Sequence, residues 1–288
     1  MKNILLPTDF SDNSWNAIRY AVQFLKNDQC TFYLFNAYTP VIYDLSYALN
    51  YRSEQFGLRD PIRKASREKL NELSAQIIEK FGTNPNHQFK IIARFETLIV
   101  GIKELIEERH IDLVFMGTKG ATGAKKIFFG SNTVQVVGEI QCPVLAIPSN
   151  FDYVAPQEIL FPTDLKIDYD YSQLEILKKI VQLHHSKINV LHVSTGHDLS
   201  TSQTVNKDKL TKLLKKLNYE FQEFEDMEIP HAIDKFQNKQ PVDLLVMINN
   251  RQTFFENLIF KDTIDQIGFY LTIPFLVIPL KKYKTKLP

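Results

Sequence analysis

Short apolar runs alternate with amphipathic stretches along the whole chain. Asn3–Leu6 is apolar and too short for a helix, so it predicts a strand. From Asn13 to Lys26 the residues Trp15, Ile18, Val22 and Leu25 recur at helical spacing, and Ser11 to Ser14 offer N-cap oxygens. Thr31–Tyr38 is β-branched and aromatic, a second strand. The pattern then predicts a long helix at Asp60–Phe81, a strand at Gln88–Phe95, a helix at Leu98–His110 and a strand at Asp112–Gly117. A helix at Ser131–Ile140 and a strand at Pro143–Ile147 follow. Beyond them the alternation repeats, with strands at Glu158–Phe161, Lys187–Val193, Asn218–Glu225, Asp243–Ile248 and Pro274–Ile278. Strands separated by helices predict a parallel sheet covered on both faces. Ligands of such sheets bind beyond the carboxyl ends of the strands, where strand order reverses.

The repetition extends to the residues themselves. "ILLPTD" (Ile4 to Asp9) and "ILFPTD" (Ile159 to Asp164) share five of six positions. "IDLVFMG", ending at Gly117, pairs with "VDLLVMI", ending at Ile248. "CPVLAIP" (Cys142 to Pro148) pairs with "IPFLVIP" (Ile273 to Pro279), and the stretches from Met116 to Pro148 and from Met247 to Pro279 align without a gap. The chain therefore reads as a tandem duplication. The expected domains are 1–149 and 150–288, meeting near Ser149 to Gln157.

Composition removes several classes of partner. A net charge of +1, with 23% charged residues, gives no reason to expect nucleic acid or an anionic membrane. No apolar run approaches the ~20 residues of a membrane span, and the N-terminal run is too short for a signal peptide. Two cysteines, Cys30 and Cys142, lie beside strand-like runs. Two make no disulfide framework, so buried thiols and a cytoplasmic location are expected.

The chemistry concentrates in one loop. The chain has ten glycines, and Gly117, Gly120, Gly123 and Gly130 fall within fourteen residues. Glycine is placed where the backbone needs positive φ or must approach something closely. Either a complicated turn or a loop aiming N–H groups at a ligand would use them. The loop leads into a helix starting near Ser131, whose free N–H groups and positive dipole end suit phosphate. The spacing is neither the mononucleotide P-loop nor the dinucleotide fingerprint. In a flavodoxin-like strand order, Pro7-Thr8-Asp9 at the end of the first strand would sit beside this loop.

Gly117, Gly120, Gly130 and Ser131 resemble the phosphate-loop pattern of the universal stress proteins: Gly, two residues, Gly, nine residues, Gly, then Ser or Thr. Pro7-Thr8-Asp9 and Cys142-Pro143-Val144-Leu145 are similar to that family's first-strand and last-strand ends. The resemblance implies an α/β protein of two tandem flavodoxin-like (Rossmann-like) domains. Each would be a five-stranded parallel sheet of order 3-2-1-4-5, and the two would pack as an internal pseudo-dimer through their last strands. In the ATP-binding branch it also implies an adenine nucleotide, ATP or ADP or AMP, with or without Mg²⁺. Carried over, Asp9 and Ala37 lie by the base. Pro7 and Gly117 lie by the ribose, with Thr8 and Met116 alongside. Gly120, Gly130, Ser131 and the Asn132–Thr133 amides hold phosphates. No catalytic or metal-ligating side chain is implied.

The second half departs from the pattern. In the gapless alignment Gly117 becomes Ile248, Gly120 becomes Arg251, Gly123 becomes Phe254, Gly130 becomes Lys261 and Ser131 becomes Asp262. A carboxylate where a phosphate-binding hydroxyl belongs opposes a triphosphate. Yet Asp164 persists opposite Asp9, so both have at least a turn-building role.

Other features take structural readings. His184 and His185 end a helix, where cations sit well; His192 lies in a strand, and with His197 these four make no evident metal site. Lys119, Lys125 and Lys126 are loop lysines close to the expected phosphates. Tyr43, Tyr47 and Tyr51 form one stripe that packs on the other half or lids the pocket. Lys281, Lys282, Lys284 and Lys286 are a solvated tail. The expected function is an ATP-binding stress-response or regulatory protein with one site, in the N-terminal repeat, and unnamed protein partners. The alternative is a non-catalytic interaction scaffold with an idle pocket. No enzyme motif is present, although slow ATP hydrolysis is compatible with a phosphate cradle. Further homodimerisation of the tandem chain is left open.

Overall fold

The structure, a computed structural model, describes residues 2–38, 59–118, 130–149, 151–194, 198–225, 227, 229–249 and 272–280. Gly120, Gly123, the three loop lysines, the tyrosine stripe, His197, Arg251, Phe254, Lys261, Asp262 and the lysine tail lie outside these residues.

In the first half the elements are β1 (Asn3–Pro7), α1 (Asp12–Phe24), β2 (Cys30–Tyr38), α2 (Arg59–Phe81), β3 (His87–Phe95), α3 (Leu98–Arg109), β4 (Leu113–Gly117), α4 (Ser131–Glu139) and β5 (Val144–Ile147). In the second they are β6 (Glu158–Thr163), α5 (Tyr171–His184), β7 (Lys187–Ser194), α6 (Thr201–Leu214), β8 (Tyr219–Glu225), α7 (Ile229–Gln237), β9 (Leu244–Asn249) and β10 (Phe275–Pro279). Helix starts follow local chemistry. The Ser11 hydroxyl caps α1 by accepting from Ser14 N, while Asp170 with Gln173 and Ser200 with Gln203 form capping boxes on α5 and α6.

The ten strands among the described residues form one sheet, in the order β3-β2-β1-β4-β5-β10-β9-β6-β7-β8. Each half is thus 3-2-1-4-5 and internally parallel. The halves join through β5 and β10, which run antiparallel with Leu276 opposite Leu145. Successive strand residues face opposite layers. Leu113 and Phe115 pack with α1 and α2, whereas Val114 and Met116 pack with α3 and α4. Both cores run on into the second half, through Leu174 and Leu177 of α5 on one face and Ile233 and Phe236 of α7 on the other.

Both layers also lock the halves together. Tyr20 of α1 packs against Phe151 and Tyr153 of the connecting segment, and Phe24 packs against His184. Asn249 Nδ2 of the second half donates to Val137 O of α4 at 3.1 Å. The His184 environment corrects the sequence-based expectation. Burial, with a smaller push from His185, lowers its pKa to about 4, which outweighs any benefit of a charge at a helix end. Its Nε2 is buried without a hydrogen-bond partner among the described residues. Cys30 and Cys142 are buried thiols, and burial pushes Cys30 up to about 12.

Candidate functional site

β1 and β4 are neighbours, and strand order reverses between them, as β2 lies on the far side of β1 and β5 on the far side of β4. The turn leaving β1 is built from its own side chains. The Thr8 hydroxyl accepts from Phe10 N at 2.9 Å and hydrogen-bonds the Ser14 hydroxyl at 2.9 Å. Asp9 Oδ1 accepts from the Ser11 amide at 3.0 Å and the Ser11 hydroxyl at 2.6 Å. Partial burial raises the Asp9 pKa, but the bonds from Ser11 and Ser14 together outweigh it and hold the carboxyl below its ordinary value. Asn36 of β2 anchors the turn: its Nδ2 donates to Thr8 O at 2.7 Å, and its Oδ1 accepts from Ser66 of α2. Phe10 adopts φ +66°, an uncommon and strained value for a bulky residue.

The second half repeats the two backbone bonds of this turn. Leu165 N donates to the Thr163 hydroxyl, Lys166 N donates to Asp164 Oδ1, and Leu165 has φ +58°. His192, buried at the register position of Asn36, donates from Nδ1 to Thr163 O at 3.0 Å. It is a strand-end anchor. Asp9 and Asp164 are therefore turn residues in both halves.

Gly117 ends β4. A Cβ there would lie 2.6 Å from both Asn13 O and Asn13 Nδ2, so the missing side chain lets the first turn of α1 seat against the strand end. The close approach that its glycine implies is thus made by protein. Behind it the Ser149 hydroxyl lies 2.9 Å from Asn13 Oδ1 and 2.8 Å from Thr118 O, and donates its proton to one of them. Thr118 is buried, and its hydroxyl has no partner among the described residues.

Gly130 is the N-cap of α4, with φ −62°, a value open to any residue. What its glycine does is leave the helix start without an N-cap side chain, and among the described residues no side chain accepts from the first-turn amides. Val134 N closes the first helical bond to Gly130 O. The Thr133 hydroxyl donates to Gly117 O at 3.0 Å, which ties the start of α4 to the end of β4. Ser131 and Asn132 are exposed beside it.

The fold thus brings Pro7, Thr8, Asp9, Gly117, Gly130, Ser131, Asn132 and Thr133 to one end of the sheet, with Ala37 half-buried at the end of β2. The Met116 side chain turns away into the α3 and α4 layer. Asn13, Asn36 and Thr118 belong to the site and were not singled out from sequence. Asn36 had one available signal: it interrupts an apolar strand where β7 places another polar residue, His192.

The universal stress protein family profile matches residues 1–148. The chain belongs to the universal stress protein family. A universal stress protein of Methanocaldococcus jannaschii is 27% identical over 148 residues, which is 51% of this chain and 81% of the relative. Among solved structures, a universal stress protein from Archaeoglobus fulgidus superimposes with TM-score 0.69 at 18% identity, covering 96% of this chain and 98% of that one. A functionally unknown protein of Pseudomonas aeruginosa superimposes with TM-score 0.58 at 14% identity, covering 96% and 92%. These two likenesses are of fold.

Within this family member the halves diverge just past the shared turn. The N-cap of α1 is the second residue after Asp9, whereas that of α5 is the sixth after Asp164. The longer segment buries Leu165, Ile167 and Tyr169, and the Tyr169 hydroxyl replaces Ser14 as partner of the strand-end threonine. Ile248, where the first half has Gly117, is buried as well. Among the described residues no three His, Cys, Asp or Glu side chains converge as a metal-ligand set, and no helix is long and apolar enough to cross a membrane.

Proposed function

We propose that this universal stress protein binds one adenine nucleotide (ATP, ADP or AMP, with or without Mg²⁺) in its first half, and acts as a nucleotide-responsive regulatory protein of the stress response in the cytoplasm. The observation that carries this is the uncapped start of α4 at Gly130, tethered to the end of β4 and preceded by the spaced glycines. First-turn amides without a capping side chain, at the positive end of a helix dipole, are what a phosphate group needs. In this reading Asp9 and Ala37 lie beside the base, Pro7, Thr8, Gly117 and the backbone of Met116 beside the ribose, and Gly130, Ser131, Asn132 and Thr133 hold the phosphates, joined by Gly120 on the strength of the sequence pattern alone. When bound, the nucleotide supplies the charged group that the first half answers. The second half has Ile248 in place of Gly117 and Asp262 in place of Ser131, which argues for a single site.

Calorimetric titration with ATP and Mg²⁺ tests this directly. One site per chain is expected, and Gly130→Asp removes it by placing a carboxylate where phosphate sits. Asp262→Ala leaves it nearly unchanged. At a hundredfold excess over Kd the nucleotide should add about 2.7 kcal/mol of stability. Two sites, or unchanged affinity in Gly130→Asp, would overturn the proposal. A second reading, an interaction scaffold with an idle pocket, draws on the fact that Asp9 and Gly117 are fully accounted for by Ser11 and Asn13. It predicts no nucleotide heat at all.

A further inference from the structure

Between the start of α1 and the middle of α2 lies a cleft of about 610 Å³. Phe10 and Trp15 wall one side, Lys69 and Glu72 line the other, and Asp12 is part of the lining. It is distinct from the nucleotide site proposed above, with which it shares only Thr8.

The duplication shows that this gap is not forced by the architecture. In the second half, α6 is tied to the segment after β6 by Gln203 donating to Asp164 O, Asn206 donating to Leu165 O and the Lys209–Asp168 ion pair. Ile167 and Tyr169 are buried in the same segment. In the first half no hydrogen bond or ion pair among the described residues joins residues 9–15 to α2. The same place between the helices is open, at a volume typical of small-molecule sites.

The charges around the cleft are unevenly answered. Lys69 Nζ sits 5.4 Å from the Phe10 ring centroid, and Lys80 Nζ 6.0 Å from that of Trp15, so both rings already accommodate ammonium groups. Asp12 and Glu72 have no hydrogen bond or ion pair to any described residue. Aromatic faces beside unanswered carboxylates are the chemistry that recognises organic amines. We propose that the cleft is a binding site for a small organic ammonium ion with an apolar body. The ammonium is taken by Asp12 from α1 and Glu72 from α2, and the body lies against Phe10 and Trp15.

Trp15 is the only tryptophan in the chain, so its fluorescence reports this cleft alone. Phenethylamine is the probe, and phenylacetate, with the same ring and the opposite charge, is the control. A saturable change in Trp15 emission at millimolar phenethylamine is expected, with none from phenylacetate. The Asp12→Asn/Glu72→Gln double variant should weaken the amine by about fivefold, the range of an exposed cation–π and charge contact. Both positions are exposed, so the fold should survive; should the double variant unfold, Glu72→Gln alone serves the same comparison. A non-saturating response, an equal response to phenylacetate, or unchanged affinity in the carboxamide variant would overturn the assignment.

Discussion

The imidazole of His184, the last residue of α5, lies 4.4 Å ring to ring from Phe24 of α1, in the other half of the chain. The contact holds a titratable group between two units that fold as one sheet. Its pKa falls from 6.5 to about 4 because burial disfavours the cation, with His185 adding a smaller repulsion. A depressed folded-state value means that the contribution to stability is complete above pH 6.5 and is lost as pH falls toward about 4. Denaturation midpoints measured across that window should decline for the native chain, by no more than about 1.4 kcal/mol per pH unit. His184 is only part-buried as a residue, so the decline should be shallower than that limit. His184→Leu should lose this component, and parallel curves for the two proteins would refute it.

Gly117→Ala should destabilise the first half by about 1–3 kcal/mol, the usual cost of overpacking. The added methyl meets Asn13 O as well as its side chain, both at 2.6 Å. Asn13→Ala should therefore not rescue it, because the backbone oxygen remains. Urea unfolding of the single and double variants checks this, and full rescue would mean that only the side chain was in the way.

The segment Met1–Asn150 alone should self-associate. Without β10 the edge of β5 is unpaired, and Val144, Leu145, Ala146 and Ile147, all buried in the full chain, border that edge. Light scattering at increasing concentration should show a dimer or larger species. A stable monomer would show that the first half covers its own edge.

Turnover of ATP should fall well below the ordinary enzyme range of ~1–10³ per second. Asp9, the carboxylate of the turn at the end of β1, already accepts two bonds from Ser11. Steady-state phosphate release at saturating ATP is the measurement. A rate within the enzyme range that disappears in Ser131→Ala would make the protein an ATPase.

Much of the fold was legible because period-2 and period-3.6 patterns need only local sequence. β1 extends one residue beyond its expected end, to Pro7, and the expected helix at Ser131–Ile140 is found at Ser131–Glu139. The site was less legible, since its contacts join distant positions. A glycine at 117 signals a close approach, yet nothing in the spacing names Asn13 as the neighbour. Asn36 reads as a polar interruption until the register sets Phe35 beside Pro7 and turns the next side chain toward Thr8. The shared "PTD" hid the divergence immediately after it. Ile167 and Tyr169 look like stray apolar residues in a polar run, and only their burial shows that the second turn is longer. His184 was read from its own helix alone, whereas Phe24 decides its chemistry.

The antiparallel join of β5 to β10 sends the carboxyl ends of the two half-sheets to opposite rims. A particle made of two identical chains would show the same rim twice and would have to accept every substitution in duplicate. One continuous chain is free of that symmetry. It carries Gly117 and Gly130 on one rim and Ile248 with a lengthened turn on the other, in a ratio that subunit exchange cannot scramble. The particle consequently has a head and a tail, and whatever docks on one has no reason to recognise the other.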